Sequence, residues 1–418
     1  MVIAETLPSG LRLVTEQMPH VRSVTAGVWV TRGSRHESDE EAGTAHFIEH
    51  MLFKGTTTRS ARDIAQTIDS IGGQLDAFTA KEYVGYYIKV LDEHLPLAIE
   101  LLSDMVRRPA LSPADIEREQ GVILEEIKMV EDAPDDLVHE VFAQQFWSQH
   151  PLGRPILGTP ETVSSFSSAG LREYFARTYI APNLVIAAAG HLEHDVFRAL
   201  VERTFAGLPV GTPMPLTERP AITPGIAVRH KDIEQSHICI GTPGHPQAHP
   251  DRHAVYVLNT ILGGSMSSRL FQHIREERGL AYAVFSHLTT YTDAGMITVY
   301  AGCATEKVDE VVDLTVAELR ELRRTPTPAD ELRRAKDHLK GNLMLSLEST
   351  SSRMSHLARQ ELYFGRHFTL DELLNSIERV TAEDVLRVAG DLFRDGSLVA
   401  TVVGPKSGSP LSADRLQL

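Results

Sequence analysis

Two histidines and a glutamate within five residues are the part of this sequence best suited to chemistry. In His46-Phe47-Ile48-Glu49-His50 the histidines stand four positions apart, which on an α-helix places both imidazoles on one face, one turn apart. Two neutral imidazoles at that spacing are ligands for a single zinc ion. Glu49 lies beside them, where it would take a proton from a water held at the site. Apolar residues surround the polar triplet in the stretch from Thr44 to Phe53, and they predict a partly buried helix. The pattern alone fits two histidines on an ordinary amphipathic helix equally well, so it needs a third ligand and a frame.

Acidic residues for that third position occur on a second predicted helix. Ser112 reads as its N-cap and Pro113 as its first residue; it runs to about Glu131 and carries Glu119, Glu125 and Glu126. Glu119 and Glu126 are seven apart and share a face, about 10 Å apart along the axis. Val122, Ile123 and Ile127 interleave with the acids, which sets Glu126 at the edge of a buried face. A solvated acidic helix is the competing reading for each of the three.

The remaining elements form a frame of strands and helices. Ile3–Thr6 and Leu11–Thr15 flank a Pro8-Ser9-Gly10 turn, and Ser23–Thr31 is a third strand. Ser60-Ala61-Arg62-Asp63 opens a helix that stops at Gly72-Gly73. Strands follow at Gln74–Thr79 and Tyr83–Leu91, then an amphipathic helix over Glu93–Arg107. Helices are predicted at Asp135–Trp147, Ser168–Thr178 and 193–206, with a buried strand at Asn183–Gly190. The proline-rich stretch after Leu208 reads as a linker.

The second half repeats the first at an offset near 215 residues. Ser112-Pro113-Ala114-Asp115 is echoed by Thr327-Pro328-Ala329-Asp330, Leu171-Arg172 by Leu386-Arg387, and Asn183–Gly190 by Ser397–Gly404. The expected fold is therefore α+β, with two homologous domains from an internal duplication, each a mostly antiparallel sheet covered by helices. Their expected bounds are 1–209 and 225–418, joined by a linker at 210–224. The second copy has Asn259-Thr260-Ile261-Leu262-Gly263-Gly264 and Gly341 where the first has its histidines and Glu126. Only one copy carries the metal-site residues, which points to a division of labour between the halves.

Composition narrows the function. The 418 residues carry a formal charge of −15, which argues against a nucleic-acid surface or an anionic membrane as partner. No apolar run approaches the roughly 20 residues needed to span a bilayer, and the start lacks a secretory pattern. Cys239 and Cys303 are the only cysteines; no disulfide framework is expected, and a cytoplasmic location fits best.

Taken together, the motif, the acidic helix and the duplication resemble the pitrilysin/insulinase family of zinc metallopeptidases. The likeness is greatest to its short two-domain members, which include mitochondrial and bacterial processing peptidases. The motif runs opposite to H-E-x-x-H, a known arrangement among zinc peptidases. The resemblance makes Glu126, 76 residues beyond His50, the third zinc ligand, with one Zn2+ per chain, and gives Glu119 a supporting place behind the site. It makes Gly72–Thr79 the edge strand on which a peptide substrate pairs by β-augmentation, through Asp76, Ala77, Phe78 and Thr79. The family most often has asparagine at Asp76, a change that main-chain pairing tolerates. It also matches Arg275 and Tyr282, in the run from Arg275 to Tyr282, to a pair that holds the substrate backbone and stabilises the oxyanion.

The resemblance further implies that four such domains form a clamshell around the substrate. Two-domain chains must then pair, and a chain carrying both the zinc site and Arg275/Tyr282 is expected to form a homodimer, with a related partner chain as the alternative. Two other readings compete with a zinc endopeptidase. One is a non-catalytic structural or partner subunit, against which the complete His/Glu set counts. The other is a metal-dependent lyase, against which the duplicated length and Arg275/Tyr282 count. His249 and His253, four apart at a helix start without an acidic partner in pattern, are set aside as a metal site. The glycines and serines of Leu262–Arg269 lack the spacing of a phosphate loop.

Overall fold

Strand β1 (Val2–Thr6) and β2 (Arg12–Gln17) pair as the expected hairpin. With β3 (Ser23–Val30), β4 (Gln74–Thr79), β5 (Val84–Leu91) and β6 (Leu184–Gly190) they form a six-stranded sheet in the order β1-β2-β6-β3-β5-β4. The pair β2/β6 is parallel and the other pairs are antiparallel. This is a computed structural model, and it describes residues 2–213, 219–406 and 411–418. Residues 214–218 of the expected linker lie outside the described residues.

A second sheet follows from β7 (Gly225–His230), β8 (Gln235–Gly244), β9 (Ala281–Thr290), β10 (Gly295–Ala304) and β11 (Val399–Gly404), in the order β7-β11-β8-β10-β9. Its one parallel pair is β7/β11, and the others are antiparallel. Apart from β1, the two sheets share one strand order and one pattern of pairing sense. The duplication read from short sequence echoes is therefore a duplication of topology.

Both faces of each sheet are covered, and the period-two alternation of the strands shows by what. In β3, Val24, Ala26, Val28 and Val30 belong to a core with α1 (Thr44–Leu52), α2 (Ala61–Ser70) and α3 (Leu95–Arg107). Trp29 points the other way and packs with Val185, Ala187 and Ala189 of β6 against Met354, Leu357 and Ala358. Having no solvent face, β6 is apolar without interruption and buried throughout. Its larger side chains, Leu184, Val185 and Ile186, each contribute about 1.5–3 kcal/mol by leaving water. Cys239 and Cys303 are buried in different clusters of the second sheet and are both free thiols.

The helix bearing Met354 is Thr350–Phe364, from the second half of the sequence. Conversely α5 (Pro134–Phe146), which follows α4 (Pro113–Asp132), buries Leu137, Val138, Phe142 and Phe146 against Cys239, Tyr300, Val399 and Val403 of the second sheet. The compact units are accordingly Met1–Lys128 with Arg154–Thr217 and Leu345–His367, and Met129–Gly153 with Glu218–Met344 and Phe368–Leu418. They differ from a division at 1–209 and 225–418 by a reciprocal exchange of one helix. The exchanged helices occupy equivalent places in the repeat. Two amphipathic helices of one type satisfy either sheet face, so their local pattern carries no address.

Candidate metal centre and active site

The entry to α1 is built by Gly43 and Glu37. Gly43 has φ 96°, and a Cβ there would lie 2.7 Å from the Leu157 carbonyl oxygen, so the turn requires glycine. The Ala45 and Gly43 amides donate to Glu37 at 2.6 and 2.9 Å. The carboxylate thus satisfies helix-start donors that have no partner within the helix and sits at the favourable end of the dipole. Burial pushes the Glu37 carboxyl up to about 8, against the pull of those two amides. In the sequence Glu37 is one of several acidic residues ahead of the motif helix; the signal for it is an acid shortly before a helix that lacks a Ser or Thr N-cap.

On α1 the two imidazoles come together as the spacing predicts, with ring centroids 4.5 Å apart. Glu126 arrives from α4, its Oε2 lying 3.8 Å from His46 Nε2 and 3.7 Å from His50 Nε2. Glu125, the neighbouring candidate, is exposed and paired with Lys128. Glu119 accepts a hydrogen bond from His50 Nδ1 at 2.8 Å and the Lys54 ammonium at 2.7 Å. With its proton on Nδ1, His50 presents the Nε2 lone pair toward Glu126.

The donor set fits a zinc ion. Glu126 Oε2 is buried without a hydrogen-bond partner although two ring nitrogens face it, and an uncompensated buried carboxylate oxygen is costly. Two nitrogens and one carboxylate oxygen within 4.8 Å of one another supply three protein ligands, the number typical of a catalytic zinc site with an open fourth position. Burial, then the neighbouring His50, hold His46 down to about 4. Burial acts likewise on His50, but its bond to Glu119 and the charge of Glu126 overcome that and raise it. Burial also raises the Glu49 carboxyl above its ordinary range.

Glu49 is held from a third element. Thr79, at the end of β4, donates its hydroxyl to Glu49 Oε2 at 2.5 Å. Strand β4 pairs only with β5 and forms an edge of its sheet. Asp76 accepts the Ala77 amide at 2.8 Å and the Tyr87 hydroxyl at 3.1 Å. Phe78 packs against Trp29, Tyr83 and Tyr87, so its side chain serves the fold, and only the main chain of this residue is left for pairing. A groove of about 700 Å³ beside the strand is lined by Phe53, Ile64, Ile68, Leu75, Asp76 and Tyr87 among others.

Arg275 and Tyr282 lie in the second compact unit. The Arg275 guanidinium sits 4.8 Å from the Phe271 ring and 5.0 Å from the Tyr282 ring. Tyr282 is 81% exposed, which no packing role explains. The structure brings these two residues together, as it brings together His46, His50, Glu49, Glu119, Glu126 and Thr79 in the first unit.

Comparison with known proteins gives the family. Residues 12–160 match the model described as Insulinase (Peptidase family M16), and residues 165–339 match the one described as Peptidase M16 inactive domain. The chain belongs to the insulinase family of peptidases, family M16. It is 43% identical over 410 residues to a Bacillus subtilis (strain 168) protein named uncharacterized zinc protease YmxG, covering 98% of this chain and 100% of that one. It is 44% identical over 414 residues to a Mycobacterium tuberculosis (strain H37Rv) protein named uncharacterized zinc protease Rv2782c, covering 97% and 94%. Among solved structures, a peptidase M16 inactive domain from Pseudomonas fluorescens superposes with a TM-score of 0.91 at 22% identity, covering 98% of this chain and 100% of that one. A protease from Helicobacter pylori superposes equally, with a TM-score of 0.91 at 22% identity over 97% and 99%. At that identity the two structures speak for the fold alone. Residues 165–339, which match the inactive-domain model, take in the stretch Asn259–Gly264, which holds no histidine and no acidic residue.

Proposed function

We propose that this chain is a zinc-dependent endopeptidase acting on peptides or unfolded segments of polypeptide. The observation that carries the reading is the convergence of His46 Nε2 and His50 Nε2 on the unpartnered Glu126 Oε2, with Glu49 fixed alongside by Thr79. Zinc, when bound by His46, His50 and Glu126, supplies Lewis acidity toward a carbonyl oxygen and lowers the pKa of water. Glu49 takes the proton of the attacking water and passes it to the departing amine. The substrate lies extended and pairs with the main chain of Asp76–Thr79, adding a strand to the open edge of β4. Tyr282 hydrogen-bonds the developing oxyanion and Arg275 holds the substrate backbone, roles supported by the exposure of the tyrosine and the stacking that orders the pair.

Names of the relatives agree with a zinc protease, and the intact ligand set counts against a purely structural subunit. A pair of identical chains enclosing the substrate is the assembly we propose, with a related partner chain as the alternative. Light scattering on the purified chain tests it: a strictly monomeric, fully active species removes the enclosure. The chemistry is tested by peptide cleavage and metal analysis on wild type and Glu49→Gln. Zinc in both proteins and turnover in wild type alone is the expected result; equal turnover in the variant removes Glu49 as the base, and a metal-free, active wild type removes the zinc site.

A further inference from the structure

Outside the site just described, one other group of side chains in the described residues is placed to hold a cation. His245, His249 and Asp251 offer ligand atoms that all lie within 4.8 Å of one another. They belong to the second compact unit, in the connection between β8 and the helix Arg252–Leu262. The backbone of that connection is fixed. Gly244 pairs with Gly295, and a Cβ on Gly295 would lie 2.3 Å from the His245 carbonyl oxygen, so the strand end is seated without slack. The Gln247 amide donates to the Tyr291 carbonyl at 2.9 Å and the His249 amide to the Pro246 carbonyl at 3.0 Å. Pro246 and Pro250 restrict the chain on either side of His249.

We propose that His245, His249 and Asp251 form a second divalent-metal site, of a kind suited to zinc. Two imidazoles and a carboxylate are a zinc-type donor set. The deciding observation is His245 Nε2, which is buried and has no hydrogen-bond partner. A stack of two rings explains their packing but not a buried ring nitrogen left without a partner.

The carboxylate is oriented as a ligand would be. Asp251 accepts two hydrogen bonds from Arg387, at 2.9 and 2.7 Å, and Asp384 and Asp391 also lie within 4 Å of that guanidinium. Against these three carboxylates stand two guanidiniums, Arg387 and Arg252, the latter donating to the His249 carbonyl at 3.4 Å, so the acidic groups outnumber the basic ones here. His249 and Asp251 retain about 31% and 26% side-chain exposure, which gives an ion a way in.

The two rings stack, with centroids 3.7 Å apart and planes inclined by 12°. Their in-plane lone pairs then run side by side. The χ2 torsion of histidine is broad, so a ring can turn to present a nitrogen to an ion. His249 Nδ1 accepts the Asp251 amide at 3.2 Å, a long bond that ligation through this nitrogen would replace.

The test is a metal count on the full chain, stripped with a chelator and re-titrated with Zn2+ at neutral pH. Wild type is expected to take up two equivalents, and His245→Ala and His249→Ala one each, with peptide cleavage at the wild-type rate. Asp251→Asn, the gentler variant, is expected to weaken the second equivalent at least tenfold, and Glu126→Gln to leave it intact. A single equivalent in wild type that His245→Ala and His249→Ala both retain overturns the proposal. A second equivalent that persists in His249→Ala overturns it as well. Neither result bears on the site at His46, His50 and Glu126, on which this inference does not depend.

Discussion

The Thr79 hydroxyl reaches Glu49 Oε2 at 2.5 Å, and so joins the edge strand where a substrate would pair to the group that would move its proton. Thr79 ends β4, and Glu49 stands on α1. A peptide added to β4 would therefore be registered against the same residue that orients the base. Removing the hydroxyl as Thr79→Val should lower kcat by about ten- to a hundredfold, the scale of a misplaced catalytic group, with little change in KM or zinc content. Thr79→Ser should restore most of the rate. Steady-state kinetics on the two variants decide it; a valine variant as fast as wild type would show the bond to be incidental.

Glu119 touches His50 from behind the metal centre, and the role we propose for it is to orient that ligand. Its two oxygens are occupied by His50 Nδ1 and Lys54 Nζ, and its side chain is almost wholly buried. Glu119→Ala should cost about ten- to a hundredfold in zinc affinity, as loss of a ligand-orienting partner does. At saturating zinc most of the activity should return. Competition with a chromogenic chelator reads the affinity, and unchanged binding would reduce Glu119 to a partner for Lys54.

Much of this was legible because it is local. The helical spacing of His46 and His50, the capping box at Ser60, the Ser112-Pro113 helix start and the apolar strands are written within a few residues of where they act. The repeat was legible because its echoes recur at an offset of 214 or 215 residues. What was not legible depends on contacts remote in sequence. Helix Thr350–Phe364 seals the first sheet and α5 the second, and nothing in either amphipathic pattern says which. Phe78 reads as an exposed strand residue until Trp29 and Tyr83 are placed around it. The second histidine cluster was missed for the opposite reason. Helical spacing favoured His249 with His253, whereas a proline-bounded turn sets His249 against His245.

Glu37 gives the fold a pH dependence of defined sign. Burial raises its carboxyl to about 8 in the folded chain, from an ordinary value of 4.5. A group that binds its proton more tightly when folded contributes stability that is complete below the unfolded value and is lost as pH rises through the folded one. The stability of wild type relative to Glu37→Gln should therefore fall between about pH 5 and about pH 8. Superposed on it is a pH-independent loss of about 1 kcal/mol in the variant, from a poorer helix cap. Denaturant unfolding of the zinc-free proteins at several pH values measures both; parallel pH curves would mean that Glu37 is charged throughout.

His287 should act in the opposite sense and at lower pH. It lies on β9 with its ring 5.4 Å from that of His139, and its Nδ1 is buried without a hydrogen-bond partner. Burial, then His139, lower it to about 4 from an ordinary 6.5. The unfolded chain therefore takes up a proton between those values that the folded chain refuses, so stability is present above about 6.5 and lost as pH falls through about 4. Facing it from α5, His139 is lowered as well, with Asp136 and Asp135 opposing that shift. Both rings thus resist charge in the same contact. His287→Leu removes this titration, so the variant should lose less stability than wild type on moving from near pH 7 to near pH 5. Urea midpoints of the two proteins at the two pH values provide the comparison, and an equal loss in both would place the acid sensitivity of this unit elsewhere.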